Sequence, residues 1–120
     1  MEESLDLKME ILEDQGIVFI RCRGRLRFGK EAHLLKKCVE GVLSQFSVCL
    51  LNLQDIDQID ARGLGVLVGC FQNARSLGCL LLIGGASENV RDLLQITKLD
   101  KVFEIYSSEH EAVQACSQAA

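Results

Sequence analysis

The sequence predicts an α/β fold: a small mixed β-sheet with four helices packed on it, in the order β-β-α-β-α-β-α-β-α. Three observations carry this. Leu5, Leu7, Met9 and Ile11 alternate with Asp6, Lys8 and Glu10, and a second β-rich run, Ile17–Arg23, follows the turn Glu13-Asp14-Gln15-Gly16, so the chain opens on a hairpin. The stretch Ser47–Leu53 is apolar nearly throughout, as a central strand covered on both faces must be. After that hairpin, helical and strand periods alternate, and a parallel pair joined through a helix crosses over right-handed.

The individual elements follow from local chemistry. Gly24 is expected to end the second strand. From Lys30 to Phe46 the residues Leu35, Cys38, Val39, Val42 and Phe46 recur on one helical face, with Gly41 the weak point of that helix. The third strand runs into a loop carrying Asp55 and Asp57. Asp60 is the natural N-cap of a second helix from Ala61 to Leu77, because its carboxylate can accept from the free N–H groups of the first turn. Leu64, Leu67, Phe71, Ala74 and Arg75 fall on the side of that helix that faces the sheet. Gly78 closes it as a C′ residue. Cys79–Ile83 is a fourth strand, ended by Gly84-Gly85. Ser87 caps a third helix carrying Val90, Leu93, Leu94 and Thr97. Phe103–Tyr106 reads as a short edge strand. Ser108 caps a last helix, Glu109–Ser117, which offers Ala112, Val113, Ala115 and Cys116 for packing, and the final residues read as a frayed tail.

A length of 120 residues fits one domain, 1–120, and 48% hydrophobic residues supply a core. The net charge of −4 and pI of about 5.1 argue against a nucleic-acid binder carried by bulk charge. No apolar run approaches the roughly 20 residues of a membrane span, so no membrane insertion is expected. The start, MEESLDLKME, has no apolar core of a secretory signal. The six cysteines, at 22, 38, 49, 70, 79 and 116, form no CxxC pair, and neither His33 nor His110 has a cysteine at ligand spacing. They read as small core hydrophobes in a reduced, cytoplasmic setting, with no metal or cofactor implied.

Several patterns compete as functional sites. Gly24–Lys30 fits G-x-x-x-x-G-K between a strand and a helix, the context of a phosphate-cradling loop. Glu31 stands where a Ser or Thr hydroxyl would bind Mg²⁺, and Leu26 and Phe28 are bulky, so nucleotide binding is a remote alternative; a plain connection with Leu26 or Phe28 in the core fits better. Arg21, Arg23, Arg25 and Arg27 share one face of an extended segment, which reads as a solvated strand face before it reads as a rim for an acidic partner. Gly63-x-Gly65-x-x-x-Gly69 is not a dinucleotide fingerprint, since its third glycine is late and the pattern lies inside a helix. Asp55, Asp57 and Asp60 have no histidine or metal-type cluster beside them, so no catalytic residues are assigned.

The start of the second helix is more informative. Each glycine there costs about 1 kcal/mol against alanine, so Gly63 and Gly65 call for a close approach to the backbone. Arg62, Val66, Gly69 and Asn73 share the outward side, with Gly65 beside them. A merely solvated face would carry more Lys and Glu, so this small, partly apolar stripe reads either as a docking surface for another protein or as a contact within the chain itself.

The stretch Val48–Leu53 followed by Ile59-Asp60-Ala61-Arg62-Gly63-Leu64-Gly65-Val66-Leu67 resembles the core motif of the STAS family, the sulphate-transporter and anti-sigma-factor-antagonist domains. The similarity continues through Ser87–Leu94 and Leu99–Phe103 and covers nearly the whole chain. It implies a non-enzymatic partner-switching module that binds an anti-sigma factor of serine-kinase fold. Asp60, Ala61, Arg62, Gly63, Gly65, Val66 and Gly69 would then line the docking face. The family's phosphoacceptor serine falls on Ala61, which has no hydroxyl, and the following position is Arg62. The resemblance also implies an alternative, a scaffold subunit contacting the ATPase of a transporter or lipid-transport assembly.

Overall fold

The computed structural model describes residues 6–27 and 29–118. Leu5 of the first predicted strand, Phe28 and the end of the expected tail at 119–120 lie outside the described residues. The elements are β1 (Leu7–Asp14), β2 (Ile17–Leu26), α1 (Lys30–Leu43), β3 (Val48–Ile59), α2 (Ala61–Ser76), β4 (Leu80–Ala86), α3 (Glu88–Ile96), a 3₁₀ turn (Leu99–Lys101), β5 (Ile105–Tyr106) and α4 (Glu109–Gln118). This is the mixed five-stranded sheet with four helices that the sequence pattern predicts.

The strands lie side by side in chain order, β1-β2-β3-β4-β5, with β1 antiparallel to β2 and every later pair parallel. That order has a consequence for the layers. Right-handed crossovers stepping always in one direction place their helices on one face of the sheet. The main core accordingly joins Val18, Ile20, Cys49, Leu51 and Ile83 of the sheet to Leu35 and Val39 of α1, Leu64 and Leu67 of α2, and Val90 and Leu94 of α3. Only the final helix is free to return to the other face. There Ala112 of α4 packs on Phe19, Leu50 and Leu82 in a smaller second core.

Several boundaries differ from the sequence expectation, β5 among them at Ile105–Tyr106 instead of Phe103–Tyr106, and four have a clear local reason. Gly24 does not end β2. Its φ is +112°, and a Cβ there would lie 1.9 Å from the Asp6 carbonyl oxygen, so glycine lets the strand bend under its neighbour and continue. Arg25 N–H then donates to that same carbonyl at 2.8 Å. With β2 extended, β3 has a partner beyond Leu53: Arg23 pairs with Asp55, Gly24 with Ile56 and Leu26 with Ile59. Asp55 and Asp57 are therefore exposed residues of a strand rather than loop carboxylates, and Ile56 between them is buried. Helix α1 stops at Leu43, three residues short of Phe46, where the Ser44 hydroxyl donates to the Gly41 carbonyl at 2.7 Å and competes with further helix. Strand β4 runs through Gly84 and Gly85 to Ala86, because a side chain at Gly84 would meet Leu50 and the backbone of α4 at Glu109.

The predicted caps form. Ser87 Oγ accepts from the Val90 N–H at 3.3 Å, and Ser108 Oγ from the Glu111 N–H at 3.2 Å. At the end of α2 the Gly78 N–H reaches the Arg75 carbonyl and the Cys79 N–H reaches the Ala74 carbonyl, with Gly78 left-handed at φ +71°, a full Schellman closure.

Candidate functional site

Strand β3 delivers the chain to Asp60, whose carboxylate accepts from the Gly63 N–H at 2.7 Å while its carbonyl accepts the first helical bond from Leu64. The cap fixes the orientation of α2, and with it two faces of opposite character. Gly63, Leu64, Leu67, Cys70 and Ala74 are buried. Phe71 is half-buried and meets Phe103 edge to face, with ring centroids 5.2 Å apart. Arg75, expected on this side, is exposed.

The structure corrects the expectation for Gly63. It does not lie on the outward stripe: a Cβ there would sit 2.3 Å from the Leu26 carbonyl oxygen, so the close approach it permits is made by the end of β2. Gly65 and Gly69 behave differently. Both are exposed, and nothing among the described residues outside the helix's own backbone lies within 4 Å of where their Cβ atoms would be. Ala61 and Arg62 are exposed as well, and Val66 and Asn73 half-buried.

These outward residues border a groove of about 710 Å³ between α1 and α2. Arg62, Gly65, Val66, Gly69 and Asn73 line it from α2; Lys36, Val39 and Glu40 line it from α1. The buried Val39 and Cys70 give it an apolar base, and one basic and one acidic side chain flank it on α1. Between Arg62 and Asn73 its α2 wall is small, while its α1 wall carries long charged side chains, which suits a close backbone approach along α2 more than the enclosure of a small reactant.

The other sequence candidates take structural roles. In Gly24–Lys30, the residues Gly24–Leu26 belong to β2, so little is left to form a phosphate-cradling loop; Leu26 is fully buried. Glu31, only 7% exposed, accepts from the Asp6 N–H at 2.9 Å and from Arg27 Nε at 3.4 Å. Burial pushes its carboxyl up, but these bonds and the Arg27 charge outweigh that and hold it below the usual carboxylate range. Glu31 thus ties the entry of β1 to the start of α1, and it puts a buried negative charge in the first turn of that helix, where a phosphate would be repelled. Arg27 and Arg25 also pair with Asp6, and Arg21 pairs with Glu10 and Glu109, so the alternating arginines are largely matched within the chain. Cys22, Cys49 and Cys70 are buried, and burial pushes their thiols up to about 12, 12 and 11. All six cysteines are free. Thiols so far from ionisation are packing groups.

Two features escaped the sequence reading. Glu31 was visible only as a misfit in a phosphate motif. Ile96, to which the sequence reading gave no role, ends α3 and is 78% exposed.

The model of the STAS domain family matches residues 8–112, and the chain belongs to that family. A candidate anti-sigma factor antagonist of Thermotoga neapolitana is 34% identical over 87 residues, 71% of this chain and 77% of that protein. The anti-sigma-B factor antagonist of Listeria monocytogenes is 33% identical over 82 residues, 68% of each. A crystal structure of a candidate anti-sigma factor antagonist from Thermotoga maritima superposes with a TM-score of 0.78 at 26% identity, covering 89% of this chain and 92% of that one. The anti-sigma factor antagonist SpoIIAA in its unphosphorylated form shares the fold, with a TM-score of 0.75 at 18% identity over 92% and 97% of the two chains. The fold is therefore that of the anti-sigma factor antagonists. No helix among the described residues is long and apolar enough to cross a membrane.

Proposed function

We propose that the chain is a non-enzymatic regulatory module of the anti-sigma factor antagonist type, which docks the outward side of α2 on an anti-sigma factor of kinase fold. The observation that carries this reading is the open space over Gly65 and Gly69. These glycines cost helix stability, and the fold itself makes no use of the room they leave. A partner backbone that packs against them accounts for both facts. Ala61, Arg62 and Val66 extend the same surface; Gly63 supports it from below.

The start of α2 carries no side chain that a kinase can phosphorylate. A phosphoryl group there would add close to two negative charges and bulk at a packed helix start. With Ala61 in that place, and Arg62 bringing a fixed positive charge, the contact is constitutive, or its control lies in the partner. A scaffold role beside a transporter ATPase draws on the same constitutive contact, and co-purification with an ATPase subunit instead of a kinase-fold protein favours it.

The test is calorimetry with a purified anti-sigma factor of kinase fold. Gly65→Arg fills the stripe with a long charged side chain where nothing stands in its way, so the melting temperature stays within a few degrees of wild type while binding falls by about a hundredfold or more. Unchanged affinity takes α2 out of the interface. Phosphate mapping after incubation with the cognate kinase checks the second half: stoichiometric phosphate on Ser44 or Ser47 that abolishes binding contradicts a constitutive contact.

A further inference from the structure

A second groove of about 410 Å³, which shares no lining residue with the α1–α2 groove, opens between the end of β3 and α3. Ile59, Leu93 and Ile96 contribute its apolar part, and Asp57, Asp60 and Asp92 its carboxylates. Arg27 also borders it, but that guanidinium is already paired with Asp6 and Glu31. Asp57 and Asp92 make no side-chain hydrogen bond or ion pair among the described residues. The Asn89 side chain donates to the Asp57 carbonyl and so ties α3 to the end of β3, which holds the groove in shape without a ligand.

We propose that this groove is a second docking site, and that its occupant is a partner-protein segment carrying an apolar side chain between lysines or arginines. An aliphatic residue as open as Ile96, at 78%, stands out where Leu94 and Val90 of the same helix are fully buried. A branched aliphatic group at the mouth of a groove, beside half-buried Leu93, is an anchor for an apolar side chain. The carboxylates of Asp57 and Asp92 select the flanking charge: a basic segment is attracted and an acidic one repelled, with the effect falling as salt rises. The site is independent of the α1–α2 groove and stands or falls apart from it.

The probes are three synthetic peptides added to the isotope-labelled full chain and followed by NMR: GSKRFLKRSG, its acidic counterpart GSEEFLEESG, and GSKRSGKRSG, which keeps the charge and lacks the apolar pair. The first is expected to give saturable shifts at Ile59, Asp92, Leu93 and Ile96, and the other two none. Ile96→Ser and Ile96→Glu each lower the affinity by about tenfold with the melting temperature unchanged, since the side chain is in solvent. Asp92→Lys lowers it by about threefold and flattens the salt dependence. No saturable shift with the first peptide overturns the proposal, as do equal shifts with the peptide lacking the apolar pair. A concentration-dependent dimer that Ile96→Ser dissolves also overturns it, because the occupant is then a second copy of the chain.

Discussion

Gly63 and Gly65 lie on one helix, separated by Leu64, and they answer to different constraints. Gly63 is pressed against the Leu26 carbonyl at the end of β2 and cannot carry a side chain without moving a strand. Gly65 faces open space. From the sequence both are the same anomaly, a glycine where a helix would prefer alanine. The difference teaches that such an anomaly has two sources, close packing inside the fold and room kept outside it, and that only the second marks a surface. The inner side of α2 is determined by the sheet beneath it. On the outer side, nothing among the described residues lies over Gly65 and Gly69.

The sharpest way to break this contrast is Gly63→Ala. The added methyl meets the carbonyl oxygen of a buried residue, and neither β2 nor the capped first turn of α2 can yield easily. Overpacking of this kind costs about 3 kcal/mol or more, well above the helix propensity that alanine returns. Urea denaturation is expected to show a clear loss of stability or no cooperative transition. A variant as stable as wild type shows that the end of β2 is soft and removes the contrast. The next effect in size is Asp60→Ala. It deletes the bond to the Gly63 N–H that fixes how α2 enters, and the cap is worth about 1 kcal/mol. Asp60→Asn keeps an acceptor at the same place and is expected to recover most of that loss in the same denaturation experiment.

Much of this architecture was legible in the residues. The order of strands and helices, the Asp60, Ser87 and Ser108 caps and the Gly78 closure all rest on short-range chemistry, and local rules suffice for them. The Arg62–Val66–Gly69–Asn73 stripe was legible too, because helical spacing alone puts those residues together. What depended on distant partners was not. Gly24 reads as a stop until Asp6 is seen lying across it, and Gln54–Ile59 reads as a loop until the extended β2 supplies the edge it pairs with. Gly63 reads as part of the docking face until Leu26 is placed beside it. In each case the deciding atom is tens of residues away in sequence, where no periodicity reaches.

The smallest expected effect separates the two kinds of glycine most cleanly, because it runs in the favourable direction. Gly41 on α1, like Gly65 and Gly69 on α2, is exposed and has nothing within 4 Å of its missing Cβ. Alanine at any of the three restricts the unfolded chain and favours helix, so each substitution is expected to stabilise the fold by about 0.5 to 1 kcal/mol in thermal or urea unfolding. Their effects on partner binding diverge. Gly41→Ala leaves the affinity unchanged, since Gly41 borders neither groove. Gly65→Ala and Gly69→Ala hold a packed partner backbone away from α2 by the thickness of a methyl group and weaken binding about tenfold or more. Stability gained at all three positions with affinity lost at only two assigns the room over α2 to a partner. Affinity kept at all three leaves those glycines without a function, and the outer side of α2 becomes an ordinary solvated surface.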